Sequence, residues 1–320
     1  MCVGAVKLSD HHLVQALLPR CTFPEVGASL RCGWSGGADS TALVVLAIAA
    51  GCRVEAVHVE HGLRSGNDDR SRLDAMAERL GIAVRTEAVE VAPGPNLEAR
   101  ARTARRGILG PDAATGHTAD DQAEGVLLAM LRGAGPWGLA GMRDGPTHPL
   151  LALRRSDTEG LCRSLGLITV EDPTNASAVH RRNRVRNEVI GLLGDVAERD
   201  PVPQLCRLAA HQRELADLLD AQAGQVDISA PSALAGLPRP VAVAALRRWW
   251  REATGLEHPP DHRALARMRD AGADVQGQRV HIPRDLLMPL IAKVPSDITI
   301  HARNPERTAM RKAQFGFGWD

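Results

Sequence analysis

Gly33 to Leu43 read GWSGGADSTAL, and the reading of this stretch decides the fold. Two adjacent glycines follow Ser35, Asp39 stands beyond them after one residue, Ala38, and the apolar run VVLAIAA begins shortly after. LRCGW ahead of the loop has the composition of a strand, and DSTALVVLAIAAG behind it that of a helix closed at Gly51. A short turn between a strand and a helix is suited to holding an anion. Gly36 and Gly37 can take backbone angles closed to other residues and let amides approach an oxyanion. Ser35, Ser40 and Thr41 add hydroxyls, and the helix presents its positive N-terminal end. The spacing and the lysine of a Walker A loop are absent. Asp39 is awkward against bare phosphate, but sensible if it holds a magnesium ion bridging phosphates. The plainer alternative is a glycine turn capped by Asp39 or Ser40.

Outward from the loop, strands and helices alternate. VEAVHV (54–59) reads as a second strand and DRSRLDAMAERLG as a helix closed by Gly81. IAVRTEAVEV reads as a third strand, LEARARTARRGIL as a helix, DAATG as a fourth strand and TADDQAEGVLLAMLRG as the helix after it. This order predicts an α/β fold: a doubly wound, mostly parallel sheet whose ligands bind at the carboxyl ends of the strands. DTEGLCRSLGL gives one more helix, and EDPTNASAVHRRNRVRNEV reads as irregular. From residue 202 the pattern is helical: VPQLCRLAAHQRELADLLDAQ, VAVAALRRWWREATG and HRALARMRDAG. The charged GDVAERDP ends in a proline, so a boundary is expected there. The chain is thereby divided into a catalytic domain at 1–195, a smaller helical domain at 196–290 and a tail at 291–320 without clear periodicity.

Composition narrows the class. At 320 residues, with 44% hydrophobic and 24% charged, the chain is an ordinary globular protein with room for a second, smaller domain. Aromatics make up 2% and tyrosine is absent, so the cores must be aliphatic. The net charge of +1 gives no global attraction to nucleic acid, and any basic surface must be local. The six cysteines form no CxxC pair, which predicts reduced, structural thiols. The N-terminus has no signal-peptide pattern, and no run approaches the roughly 18 apolar residues of a membrane span. A cytoplasmic location without membrane association is expected, and a homodimer is left open.

The remaining motifs carry chemistry. In the helix after the fourth strand, Ala123, Val126, Leu127 and Met130 form an apolar stripe. His117, Asp121 and Glu124 fall on another stripe near the carboxyl edge of the sheet, where two carboxylates and an imidazole suit metal holding and amine recognition. Asp120 and Asp121 would also complement the helix dipole by about 0.3–1 kcal/mol each. His58 and His61 end the second strand, in a structural or a nucleotide-lining role. Arg102 and Arg105 share a helix with Glu98, as an ion-pair face or as ligands. Arg181, Arg182, Arg184 and Arg186 lie in RRNRVRN, which is either a charged turn or a local RNA-contacting patch.

Ser35-Gly36-Gly37-Ala38-Asp39-Ser40 resembles the pyrophosphate loop of the N-type ATP pyrophosphatases (PP-loop proteins). HVEHGLRSG (58–66), NLEARARTARR (96–106), TGHTADDQAEGVLLAMLRGAGPWGLAGM (115–142), DPTN (172–175) and RRNRVRN (181–187) resemble segments of the tRNA(Ile)-lysidine synthetases in the same order, over roughly residues 30–190. The resemblance implies an adenine nucleotide alpha hydrolase-like fold. It also implies a ligase that adenylates the 2-carbonyl oxygen of the wobble cytidine in a CAU anticodon and then attaches free L-lysine. ATP and Mg2+ are the implied cofactors, and tRNA(Ile) and lysine the partners. Implied catalytic residues are Asp39, His117, Asp121 and Glu124, with Asp39 on the metal. ATP would be bound by Ser35, Gly36, Gly37, Ala38, Asp39, Ser40, His58 and Arg102, and tRNA by Arg105, Arg181, Arg182, Asn183, Arg184 and Arg186.

Trp34, Glu60, Arg106 and Gly125 depart from the family pattern, and Trp34 is expected to crowd the strand end. The competing readings are a PP-loop tRNA thiolase, a small-molecule ligase of GMP or NAD synthesis, and a catalytically weakened RNA-binding module.

Overall fold

In the computed structural model, residues 2–3, 6–60, 67–89, 97–170, 181–226, 236–254, 274–276 and 279–281 are described. The chain divides into two compact units, Met1–Glu214 and Leu215–Asp320. Among the described residues, no helix is long and apolar enough to cross a membrane.

The first unit opens with a short antiparallel pair, β1 (Cys2–Val3) and β2 (Val6–Lys7), and helix α1 (His12–Leu17). Its sheet is built from β3 (Ser29–Gly33), β4 (Arg53–Glu60) and β5 (Val84–Ala88), all parallel, in the order β3-β4-β5. Helix α2 (Ala38–Ala49) joins the first two strands, α3 (Asn67–Leu80) the next two, and α4 (Leu97–Leu109) follows β5. The chain then returns to the other edge of β3, where Ala114 makes a parallel bridge to Cys32. The Gly33 amide donates to the Ala114 carbonyl at 2.9 Å, and the Ala114 amide to the Arg31 carbonyl at 2.8 Å. The winding therefore reverses between β3 and Ala114, which is the switch point where α/β sheets bind ligands.

The expected fourth strand, DAATG, shrinks to this one bridging residue. The Thr115 amide donates to the Thr147 carbonyl at 3.0 Å, which turns the backbone off the ladder after Ala114.

Side-chain alternation explains the two covered faces. Val54 and Ala56 of β4 pack with Leu43 and Leu46 of α2 and Leu73 and Met76 of α3. Val57 and Val59 point the other way, onto Leu109 and Ile108 of α4. Each fully buried Leu or Val contributes roughly 1.5–3 kcal/mol, so an aliphatic core suffices without tyrosine. Trp34 does not crowd the strand end. It is 1% exposed in the α2-side core, and its indole Nε1 donates to Thr41 Oγ1 at 2.9 Å.

The first unit continues through α5 (Ala119–Leu131), α6 (Pro136–Leu139) and α7 (Arg155–Ser164). The segment read as irregular is helical from Arg181 onward: α8 (Arg181–Arg184), a π-helical turn (Val185–Val189) and α9 (Ile190–Ala197). The reason is tertiary. Val185 is buried, and Arg182 and Arg186, one turn apart, both bind Glu124 of α5. Met130 departs from the expected stripe: Ala123, Val126 and Leu127 are buried, whereas Met130 is 51% exposed.

Helix α10 (Val202–Gly224) carries the chain from the first unit into the second. In the second unit, helix Arg239–Thr254 is tied to the end of α10 by Arg248, which donates to the carbonyls of Ala223 at 2.7 Å and Val226 at 2.8 Å. Strands β6 (Asp274–Gln276) and β7 (Arg279–His281) form an antiparallel pair. The expected HRALARMRDAG helix and the 291–320 tail lie outside the described residues.

Candidate active site

The glycine loop sits at the switch point. Gly36 has φ of +86°, a left-handed angle, and a Cβ there would stand 2.9 Å from Val170 Cγ2. The Gly36 carbonyl accepts from the Val170 amide at 2.9 Å and from the Thr41 hydroxyl at 3.3 Å. Ser40 Oγ accepts from the Ser35 amide at 3.2 Å and donates to the Gly37 carbonyl at 3.0 Å, while the Ser35 and Ser40 hydroxyls are 3.0 Å apart. Gly37 caps α2, so the first-turn amides of Ala38, Asp39 and Ser40 face the loop as a positive helix end.

His58 lies beside the loop. Its Nδ1 donates to the Trp34 carbonyl at 2.9 Å, since a carbonyl can only accept. His61 lies outside the described residues, and so does the side chain of Arg102 on α4. Arg105 is half-buried, and burial pushes its guanidinium below its ordinary range, with Arg106 adding to the effect.

Against the loop runs the segment that begins α5. A Cβ on Gly116 would stand 2.6 Å from the Asp39 carbonyl oxygen. His117 accepts or donates at 2.7 Å to the Thr115 hydroxyl, and its ring lies 5.4 Å from that of His148. His148 was not singled out by the sequence. Burial pushes its pKa below the ordinary 6.5, and its Nδ1 donates to the Arg143 carbonyl at 3.2 Å.

Asp121 and Glu124 stand together, and both are occupied by protein. Asp121 Oδ2 accepts from the Thr118 amide at 2.9 Å and its hydroxyl at 3.0 Å. Asp121 Oδ1 takes Arg182 Nη2 at 2.9 Å and Arg155 Nη2 at 3.2 Å. Glu124 has no exposed side-chain surface. Arg186 Nε donates to its Oε1 at 2.6 Å, Arg182 Nε to its Oε2 at 2.6 Å, and Arg155 approaches Oε1 at 3.4 Å. Burial alone would raise the Asp121 carboxyl, but Arg155 and Arg182 outweigh it and hold the group below 3.8.

Asp39 joins the same cluster through α7. Its Oδ1 accepts from the Thr158 hydroxyl, and its Oδ2 lies 3.5 Å from Arg155 Nε. Burial pushes the Asp39 carboxyl up, against the pull of Thr158 and Arg155. Sequence reasoning missed both Arg155 and Thr158. LRRSDTEG reads as an ordinary helix start, and nothing local shows that its side chains reach α2 and α5.

The predicted basic segment divides in two. Arg182 and Arg186 face the carboxylates, Asn183 is buried, and Arg181 and Arg184 are exposed, with Arg184 paired to Glu188 at 3.0 Å.

One magnesium ion commonly takes one or two carboxylates, with phosphates and water completing its shell. The single carboxylate of Asp39 at the helix head fits that donor set. Among the described residues, no group of three or more His, Cys, Asp or Glu gathers into an all-protein metal cage.

A glycine turn at the switch point of a parallel sheet, leading into a helix whose second residue is a carboxylate, defines a PP-loop ATP-binding protein, and the PP-loop domain model matches residues 12–193. The chain is 38% identical over 260 residues to a tRNA(Ile)-lysidine synthase of Nocardia farcinica, covering 76% of this chain and 81% of that protein. It is 40% identical over 248 residues to one of Mycobacterium leprae, covering 69% and 75%. The chain belongs to the tRNA(Ile)-lysidine synthase family.

A trimethylamine methyltransferase (MTTB) model matches residues 247–313, too small a share of the chain to define its family. Among solved structures, a U34-tRNA thiolase, NcsA, from Methanococcus maripaludis with its 4Fe-4S cluster is similar at a TM-score of 0.48 and 20% identity, covering 62% of this chain and 76% of that one. A likeness at that level supports no functional argument.

Proposed function

We propose that this enzyme joins the side-chain amine of free L-lysine to C2 of the wobble cytidine of tRNA(Ile) with a CAU anticodon, converting ATP to AMP and pyrophosphate. The observation that carries the reading is the meeting of the glycine loop with Asp121 and Glu124 at one point of the sheet, in a chain of this family. The cytidine O2 attacks the α-phosphorus of ATP and pyrophosphate leaves. The lysine amine then attacks C2, and AMP departs with O2. Adenylation is needed because an amide-like carbonyl oxygen is a poor leaving group.

The loop Ser35–Ser40, with His58 and Arg102, is assigned to ATP. Magnesium would be held by Asp39, and when bound it offsets negative charge on the departing pyrophosphate. Asp121 and Glu124 are assigned to the lysine ammonium. Because a free lysine side chain has a pKa of roughly 10.4, the amine must lose a proton before attack. Arg155 and Arg182 lower the Asp121 carboxyl below its ordinary range and so weaken it as a base, and the imidazole of His117 beside it is assigned as the acceptor.

Catalysis is assigned to residues 1–195 and tRNA binding to 196–290. The target base must leave the anticodon stack, which calls for recognition of a single-stranded loop. The exposed Arg181 and Arg184, together with Arg105, are assigned to phosphate contacts. Arg182 and Arg186 are assigned to the carboxylate pair, and Asn183 to packing beneath them. A thiolase reading finds no support in the thiols: burial pushes Cys32 and Cys162 up to about 12.

The test is to supply purified protein with ATP, magnesium, lysine and tRNA(Ile), and to follow the wobble base by mass spectrometry. A mass gain matching lysidine, dependent on lysine and accompanied by AMP, is expected. AMP release with no change at the wobble base, or with sulfur incorporation, refutes the reading.

A further inference from the structure

Three carboxylates and three guanidiniums meet at the head of α5. Asp39, Asp121 and Glu124 face Arg155, Arg182 and Arg186 at separations of 2.6 to 3.9 Å. The adjacent Asp120 is satisfied separately by the fork of Arg154, at 2.9 and 3.0 Å. The charges of the cluster balance, so its carboxylates have no unmatched charge for an incoming ammonium. A further cation can enter at low cost only if one guanidinium withdraws, because an uncompensated buried charge is expensive.

The three arginines are not equivalent. Arg182 and Arg186 each place Nε 2.6 Å from a Glu124 oxygen. Arg155 is held more loosely, at 3.2 Å from Asp121, 3.4 Å from Glu124 and 3.5 Å from Asp39. Among the described residues, it is the guanidinium in ion-pair contact with both the phosphate-loop carboxylate and the α5 pair. Its backbone is anchored, since its amide donates to Asp120 Oδ2 at 2.8 Å, so movement is left to the side chain.

We propose that Arg155 is a positioning residue that gates the amine site: nucleotide phosphates arriving at the glycine loop draw its guanidinium away from Asp121 and Glu124 and open that pair to the lysine ammonium. The inference rests on the assignment of lysine to this pair. Magnesium-bound ATP keeps net negative charge, so its arrival favours the loop end of the Arg155 contact over the α5 end. Nucleotide and lysine then bind with positive coupling, and by linkage each raises the affinity of the other by the same factor. The amine is thus admitted only when the means of activating the base are in place.

The experiment uses the full chain without tRNA, so that no transfer occurs. Equilibrium dialysis measures labelled lysine with and without magnesium and α,β-methylene ATP, whose α–β bridge resists cleavage. Lysine affinity in the unaltered protein is expected to rise about tenfold or more with the analogue. Arg155→Gln is expected to bind lysine without nucleotide about as tightly as the unaltered protein binds it with nucleotide, and to lose the ratio. Equal lysine affinity with and without the analogue in the unaltered protein overturns the gate and leaves the lysine assignment standing. Absence of lysine binding under both conditions overturns both. An Arg155→Gln protein that keeps the full ratio also overturns the gate, and if that variant does not fold, the comparison within the unaltered protein decides alone.

Discussion

Gly116 lies against the first turn of the helix that carries Asp39: a methyl carbon built on Gly116 would stand 2.6 Å from the Asp39 carbonyl oxygen and 2.8 Å from the Ser40 nitrogen. Both neighbours are backbone, so neither can rotate away. The close approach locks the segment bearing His117 to the glycine loop across the switch point of the sheet. Gly116→Ala must separate the two, at a cost of about 1–3 kcal/mol for overpacking. Thermal unfolding followed by circular dichroism should report the loss of stability, and a titration with ATP should report weaker binding. A variant that binds ATP as the unaltered protein does means the loop does not depend on this contact.

Gly125 is the opposite case. It stands inside α5, and a Cβ there meets nothing within 4 Å. Its backbone is helical, so the residue gives up helix propensity without relieving any contact. Gly125→Ala should stabilise the protein by about 1 kcal/mol and leave lysidine formation unchanged. Chemical denaturation read at one fixed temperature checks this, and a lowered midpoint would point to a role for the glycine that packing does not reveal.

The glycine loop, the three parallel strands and the helices between them were legible because each is a local pattern: turn glycines, alternating apolar runs and helical stripes. DAATG was over-read because its apolar residues resemble a strand, while the pull of the Thr147 carbonyl on Thr115 lies 32 residues away. The helix through RRNRVRNEV was missed for a related reason. Its arginines look solvated until Glu124 is placed beneath Arg182 and Arg186, and that placement comes from the sheet and not from the segment. Asp121 and Glu124 share one helical stripe, which local spacing shows, but no local pattern marks Arg155 as their partner or Thr158 as the partner of Asp39. Long-range charge pairing leaves no periodic trace.

Asp120 supplies a pH dependence with a definite sign. Burial alone would raise its carboxyl, but the Arg154 fork and the Arg155 amide outweigh burial and hold it below the ordinary 3.8. A carboxyl depressed in the folded state contributes stability that is fully present above its unfolded pKa and is lost as pH falls through the folded value. The contribution is therefore complete near neutrality and fades below about pH 3.8. Asp120→Asn should be less stable than the unaltered protein at pH 7, with the gap narrowing as the pH drops below that point. A stability difference that is constant from pH 7 to pH 3 would show that the contribution is not electrostatic.

Among the described residues of the first unit, Glu124 is the most deeply buried charge. With no exposed side-chain surface, it accepts from Arg155, Arg182 and Arg186, and it connects α5, α7 and the helix begun at Arg181. Removing one partner of a buried ion pair leaves the others uncompensated, at a cost of about 3–5 kcal/mol. Glu124→Gln keeps the shape but not the charge, so three guanidiniums would crowd a neutral amide. Unfolding should shift to markedly lower denaturant, and lysine transfer should fall. Replacing Arg186 with methionine in the same chain removes one of the stranded charges, so Glu124→Gln with Arg186→Met should recover part of the stability lost by Glu124→Gln alone. Purely additive losses in the double variant would mean that the pair is not coupled in the way the 2.6 Å contact indicates.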